Sequence, residues 1–356
     1  MRVLTIVGAR PQFIKASVVS RQLKLNSIEE LVLHTGQHFD SNMSEIFFEQ
    51  LDIPRPAINL DIRGSSHAQM TGQMLQEIES VIAEKKPDRV LVYGDTNSTL
   101  AGALAAAKVH VPVSHIEAGL RSFNMKMPEE VNRILTDQIS DQLFCPTQLS
   151  VNNLYSEGFK QKSVDIALVG DVMFDATIYF GKLARPPEDF PVDSQFVLST
   201  VHRAENTDDP KRLKDIVLSL NDIHNTVAPV IMPIHPRTRK AIHDQQLIPE
   251  FRIVEPFGYL EMMWMQKQAS LILTDSGGVQ KEAFFFGTPC LTLREETEWV
   301  ELIDIGANKL VGANKNKIIS AAKKRIGSDV PKDLTIYGAG DSSSKIAEAI
   351  KFIGNG

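Results

Sequence analysis

TDSGGVQKEAFFFGTPC, residues Thr274 to Cys290, follows the apolar run Leu271-Ile272-Leu273 and leads into a second apolar run after Pro289. Two glycines separate the first run from a segment whose apolar residues recur at helical spacing. The stretch reads as a strand end, a tight turn and a helix N-terminus. Unpaired N–H groups and the positive end of the helix dipole make such a place a phosphate site. Glu282, one turn into the helix, is placed to accept hydrogen bonds from a ribose. A nucleoside diphosphate ligand is the expectation.

The same alternation of strand and helix runs outward in both directions. Strands are expected at Val3–Val7, Glu30–His34, Arg89–Tyr93, Val113–Ile116, Gln142–Cys145 and Ile166–Val169. A second series covers Phe196–Thr200, Val230–Ile234, Arg252–Glu255, Leu271–Thr274 and Cys290–Leu293. Helical patterns at Thr71–Glu84, Thr99–Lys108, Asp209–Ile223 and Gly278–Phe286 lie between them. Continuous apolar strands joined by helices imply parallel sheets covered on both faces. Pro186, Pro187 and Pro191 cluster among charged residues between Phe180 and Val197, which suits a linker. The expected fold is therefore α/β, with two doubly wound domains at 1–180 and 190–356, a cleft between them, and the last helix a candidate to pack back on the first domain.

Bulk properties narrow the function. The chain has 356 residues, 43% hydrophobic, enough for a core in each of two domains. A net charge of −6 and a pI near 5.9 argue against a nucleic-acid binder with a broad basic face. Cys145 and Cys290 form no C-x-x-C pair, so a reducing cytoplasm is the expected location. The N-terminus, MRVLTIVGARPQFIK, reads as a buried strand rather than a signal peptide. No stretch of about 18 apolar residues implies a membrane span. No His/Cys cluster has metal-ligand spacing, and G-x-G-x-x-G, Walker and G-x-S-x-G patterns are absent. Neither a metal nor NAD is expected.

Several charged residues fall just after expected strands, where open α/β sheets bind ligands. Arg10 and Lys15 follow the turn Gly8-Ala9 and suit an anion, although solvated charges on an ordinary turn would look the same. Asp95 follows Tyr93-Gly94, where capping the next helix is the commoner role. Glu117, at the end of a buried strand, needs a partner because burying a charge is costly. Glu129 and Glu130 follow after Pro128. Such carboxylates serve for acid/base work, with ion pairing to Arg121 and Arg133 as the plain alternative. His202, and more weakly His235, follow strands of the second half. His202 suits an acid, a base or a diphosphate donor. Phe284–Phe286 reads as core.

In combination, GARPQFIK, YGDTNSTL, HIEAGLRS, PEEVNR, VHRAEN and TDSGGVQKEA resemble, in order and over nearly the whole chain, the non-hydrolysing UDP-N-acetylglucosamine 2-epimerase family. The resemblance implies a GT-B fold of two Rossmann-like domains. It also implies inversion at C2 of a UDP-2-acetamido sugar without NAD, by elimination of UDP to a 2-acetamidoglucal and re-addition. Carried over by position, Asp95, Glu117 and Glu129 are the acid/base set and His202 a further catalytic group. Arg10, Lys15, Arg133, His235, Ser276, Gly277, Gly278 and Glu282 would bind the substrate or its UDP, with uracil near Pro256-Phe257. A homodimer serving polysaccharide synthesis is implied, with no nucleic-acid or membrane partner. Two motifs depart from the family. Ala204 stands where H-R-R-E-N has its second Arg, a residue tied in several members to an allosteric UDP-sugar. Trp299-Val300 stands where T-E-R-P-E has Arg-Pro. Both departures, with the SFNMKMPEE loop, resemble the branch acting on UDP-2,3-diacetamido-2,3-dideoxy-glucuronate, so that uronate and UDP-N-acetylglucosamine are both candidate substrates. A hydrolysing 2-epimerase, a GT-B glycosyltransferase and a non-catalytic UDP-sugar sensor are the rival readings.

Overall fold

The computed structural model describes residues 1–37, 55–63, 66–188, 195–331 and 334–353. Among these, the chain forms two wholly parallel sheets. The first holds β1 (Arg2–Val7), β2 (Glu29–His34), β3 (Ile58–Asn59), β4 (Arg89–Tyr93), β5 (Val113–Ile116), β6 (Gln142–Cys145) and β7 (Asp165–Leu168), in the order β3-β2-β1-β4-β5-β6-β7. The second holds β8 (Val197–Thr200), β9 (Val230–Pro233), β10 (Arg252–Val254), β11 (Leu271–Thr274), β12 (Cys290–Thr292) and β13 (Asn308–Leu310), in the order β10-β9-β8-β11-β12-β13.

The residues explain why these strands are central. Every residue of β4 and of β11 is buried, and Val3, Leu4, Ile6 and Val7 of β1 are inaccessible to solvent. A strand with no polar face must be covered on both sides, and each such side chain contributes roughly 1.5–3 kcal/mol on burial. In the first sheet the cover includes the helix His67–Lys85, through Met74, Ile78 and Ile82, and the alanine-rich helix Asn97–Lys108. In the second, Leu213, Ile216, Val217 and Leu220 of the helix Pro210–Thr226 pack with Ile318 and Ala322 of the helix Lys315–Arg325. Cys145 and Cys290 are free and buried in two further apolar clusters, and burial pushes both thiols up, away from nucleophile chemistry.

Each sheet starts in its middle, moves outward, then jumps back across its first strand. β1 therefore pairs with both β2 and β4, and β8 with both β9 and β11. The reversal sets the turn after β1 beside the turn after β4, and the turn after β8 beside that after β11. These are the topological switch points at which such sheets bind ligands.

The chain divides into two compact units, Met1–Tyr179 with Leu334–Gly356, and Phe180–Asp333. The return of the C-terminus to the first unit has a specific lock. Asp175 accepts from the Ser342 and Ser343 amides at 3.2 and 2.7 Å, at the start of the helix Ser342–Ile353. Within the expected linker, 189–194, with Pro191, lies outside the described residues.

Candidate active site

In the first unit the turn after β1 is held by a side chain that sequence reading passed over. Gln12 is buried, and its oxygen accepts from the Gly8 and Ala9 amides at 2.8 and 3.0 Å. Its amide nitrogen donates to the Tyr93 carbonyl at 2.7 Å and to the Thr99 hydroxyl at 2.9 Å. One glutamine thus ties the two turns at the switch point together. Gly8 allows the close approach, since a β-carbon there would lie 2.1 Å from Ser98 Oγ and 2.3 Å from Thr35 Oγ1. Arg10 opens the following helix, and its side chain lies outside the described residues.

Lys15, on that helix, meets Glu117 in a buried ion pair. This is the partner that the strand-end carboxylate required. Glu117 has φ +73°, a left-handed conformation costly for a residue with a side chain, and the Lys15 contact is among those that hold it there. Asp95 pairs with Arg133, and Asn132 Nδ2 donates to the Asp95 carbonyl at 2.9 Å. Asp95 does not cap the next helix; Thr96 does, accepting from the Thr99 amide. Burial raises the Asp95 carboxyl above its usual range; Glu117 and Glu129 add to this, and Arg133 and Lys15 oppose it. A carboxyl raised in this way holds a proton more readily than a free one, which suits proton transfer.

The Pro128-Glu129-Glu130 cluster splits by role. Glu130 is buried and structural: it accepts from the Ser122 and Phe123 amides at 2.9 and 2.8 Å and lies 3.2 Å from Arg133 Nη1. Glu129 is exposed in the first turn of the helix Pro128–Ile139. Of the two arginines expected as partners of these acids, Arg133 is one. Arg121 pairs instead with Asp137 at 2.8 Å and Glu157 at 2.6 Å. Asp137, another residue missed in the sequence, also faces His115 Nδ1 at 2.7 Å and accepts from the Gly119 amide.

In the second unit Asp275, wholly buried just after β11, organises the loop after β8. It accepts from the His202 and Arg203 amides at 3.1 and 3.0 Å and from Asn206 Nδ2 at 3.1 Å. The His202 ring is 3.3 Å from the same carboxylate and 6.2 Å, between centroids, from that of His235. Burial holds the His202 imidazole below its usual range, with Arg203 and His235 acting the same way against Asp275. His235 caps the helix Pro236–Asp244, its Nδ1 accepting from the Arg237 amide at 3.2 Å. The helix Gly277–Phe286 begins at Ser276 with no side-chain cap among the described residues. Its Glu282 is buried, taking hydrogen bonds from Gln266 Nε2 at 2.7 Å and Tyr259 Oη at 3.3 Å. Phe257 packs against the buried cluster around Phe196 and Leu198, and Ala204 is exposed.

A family profile described as UDP-N-acetylglucosamine 2-epimerase matches residues 21–351. The chain belongs to the UDP-N-acetylglucosamine 2-epimerase family. It is 59% identical over 349 residues to the UDP-2,3-diacetamido-2,3-dideoxy-D-glucuronate 2-epimerase of Pseudomonas aeruginosa, covering 98% of this chain and 99% of that one. It is 45% identical over 337 residues to the UDP-N-acetylglucosamine 2-epimerase of Methanocaldococcus jannaschii, covering 91% and 92%. The crystal structure of the M. jannaschii enzyme in complex with UDP-GlcNAc and UDP matches with a TM-score of 0.89 at 42% identity, over 99% of this chain and 100% of that one. The Neisseria meningitidis UDP-GlcNAc 2-epimerase bound to UDP-GlcNAc matches at 0.87 and 32%, over 99% and 100%. Family membership makes this chain a UDP-sugar 2-epimerase of GT-B type, an isomerase. No helix among the described residues is long and apolar enough to cross a membrane.

Proposed function

We propose that this epimerase inverts C2 of UDP-2,3-diacetamido-2,3-dideoxy-D-glucuronate, giving the manno form. The observation that carries the chemistry is the pairing of Glu117 with Lys15 and of Asp95 with Arg133 on adjoining turns. The 59% identity to the P. aeruginosa enzyme, against 45% to the M. jannaschii one, supports the choice of substrate.

A carboxylate of the set Asp95, Glu117 and Glu129 removes the C2 proton. The C–H electrons form the C1=C2 bond of a 2-acetamidoglucal, and the C1–O electrons leave with UDP. UDP oxygen then re-adds at C1 while a second carboxyl returns a proton to the opposite face of C2. The base of one direction is the acid of the other, so both must change protonation near working pH. The raised carboxyl of Asp95 suits that exchange. Lys15 and Arg133 offset charge on the acids and the departing diphosphate, to which His202 is a further hydrogen-bond donor. The uncapped turn at Ser276-Gly277-Gly278 holds the diphosphate, Glu282 the ribose, and Phe257 lies by the uracil, with Arg10 and His235 as further UDP contacts. The working form is a cytoplasmic homodimer.

Product analysis by NMR tests the reading with both candidate substrates. The expected result is the intact manno-configured UDP-uronate, with UDP-N-acetylglucosamine turned over poorly. Free sugar plus UDP would instead identify a hydrolysing enzyme, and transfer to an acceptor without a free epimer a glycosyltransferase.

A further inference from the structure

We propose that Trp299 is a diphosphate-binding residue, its indole N–H adding a side-chain donor to the backbone amides that open the helix Gly277–Phe286. The inference rests on the placement of the diphosphate at that helix.

The indole is 5% exposed, and its Nε1 has no hydrogen-bond partner among the described residues. A buried donor without an acceptor is unfavourable and is retained where something absent from the free protein accepts from it. Its position says where that acceptor lies. A β-carbon built on Gly277 would be 3.4 Å from Trp299 Nε1, so the donor stands against the first turn of the uncapped helix. The helix N-terminus and the orphaned indole are independent observations, and both point to an anion.

The surroundings hold the ring in place. Thr297 Oγ1 donates to Gln280 Oε1 at 2.8 Å and accepts from the Trp299 amide at 3.2 Å, latching the segment to the helix. Lys281 Nζ lies 3.9 Å from the ring centroid, a cation–π contact that keeps a positive charge beside the site. One anion is also near: Glu298 Oε1 is 3.1 Å from the same β-carbon position. Its charge is balanced by Arg294 at 2.7 Å and Arg203 at 3.6 Å, which together hold its carboxyl below the usual range against burial. Trp299 thus supplies a neutral donor at a place where Glu298 is already paired and the cations outnumber it.

Trp299→Phe removes the N–H and keeps a ring over Lys281. Calorimetric titration with UDP and with uridine, on wild type and variant, gives the first readout. The expected result is UDP binding weakened about tenfold in the variant, with uridine binding unchanged and the unliganded melting temperature not lowered. A purely structural tryptophan would lower that temperature and weaken both ligands together. The second readout is the indole resonance of 15N-tryptophan-labelled protein, assigned by Trp264→Phe. It should move on adding UDP and not on adding uridine. An unmoved indole resonance, while glycine-labelled protein shows Gly277 or Gly278 amides shifting with UDP, would overturn the role of Trp299 and leave the diphosphate site standing. Unshifted Gly277 and Gly278 amides at saturating UDP would overturn the placement of the diphosphate and this inference with it.

Discussion

His115 Nε2 donates to the carbonyl of Gly94 at 2.7 Å, from a ring with no solvent exposure. Asp137 fixes the other ring nitrogen at 2.7 Å. The histidine therefore braces the turn that carries Asp95 from the strand that ends in Glu117. His115→Ala should lower kcat about tenfold to hundredfold with little change in KM, because a shift of about 1 Å in a reacting group costs on that scale. Steady-state kinetics check this; equal loss in kcat/KM through KM alone would contradict it.

Lys15 and Glu117 form a pair almost closed to water. Removing one partner strands a buried charge, which costs roughly 3–5 kcal/mol. Lys15→Met should be destabilised by that order in denaturant unfolding. Adding Glu117→Gln should recover much of it, while activity stays lost in both. Additive losses in the double variant would mean that the two residues do not act as a pair.

Asp175 holds the start of the C-terminal helix by three hydrogen bonds from Ser342 and Ser343. Asp175→Ala should cost about 2 kcal/mol, the upper range of an N-cap loss, and raise amide exchange in Ser342–Ile353 before the rest of the unit. Hydrogen-exchange mass spectrometry reads this directly.

Glu30 in β2 gives a pH signature. Burial raises its carboxyl above the usual range, opposed by the hydrogen bond that Thr5 donates. A raised folded-state pKa means that the contribution to stability is complete below the ordinary carboxyl range and is lost as pH rises through the folded value. Glu30→Gln should thus match wild type near pH 4 and be the more stable of the two near pH 8. Melting curves at the two pH values decide.

The parts of this molecule legible in its sequence are those whose signal is local. β1, β4 and β11 announce themselves as largely apolar runs that need cover on both faces. The helix at Gly277 announces itself by its two glycines. β3, only Ile58–Asn59, and β13, Asn308–Leu310, escaped because two or three mixed residues carry no periodicity. The side chains that assemble the site were hidden for another reason. Gln12 bonds to Tyr93, 81 positions away, and Asp275 bonds to His202, 73 away, and only the sheet order makes those pairs neighbours. Glu117 could be seen to need a partner, but choosing Lys15 over the nearer Arg121 required the fold.

The central claim is that a proton leaves C2 and another returns on the opposite face. Turnover in deuterated buffer, with the product examined by NMR, tests it most directly. The expected product is a manno-configured UDP-sugar carrying deuterium at C2, with no such incorporation in Asp95→Asn or Glu117→Gln. Epimer formed with its original C2 hydrogen fully retained would contradict it.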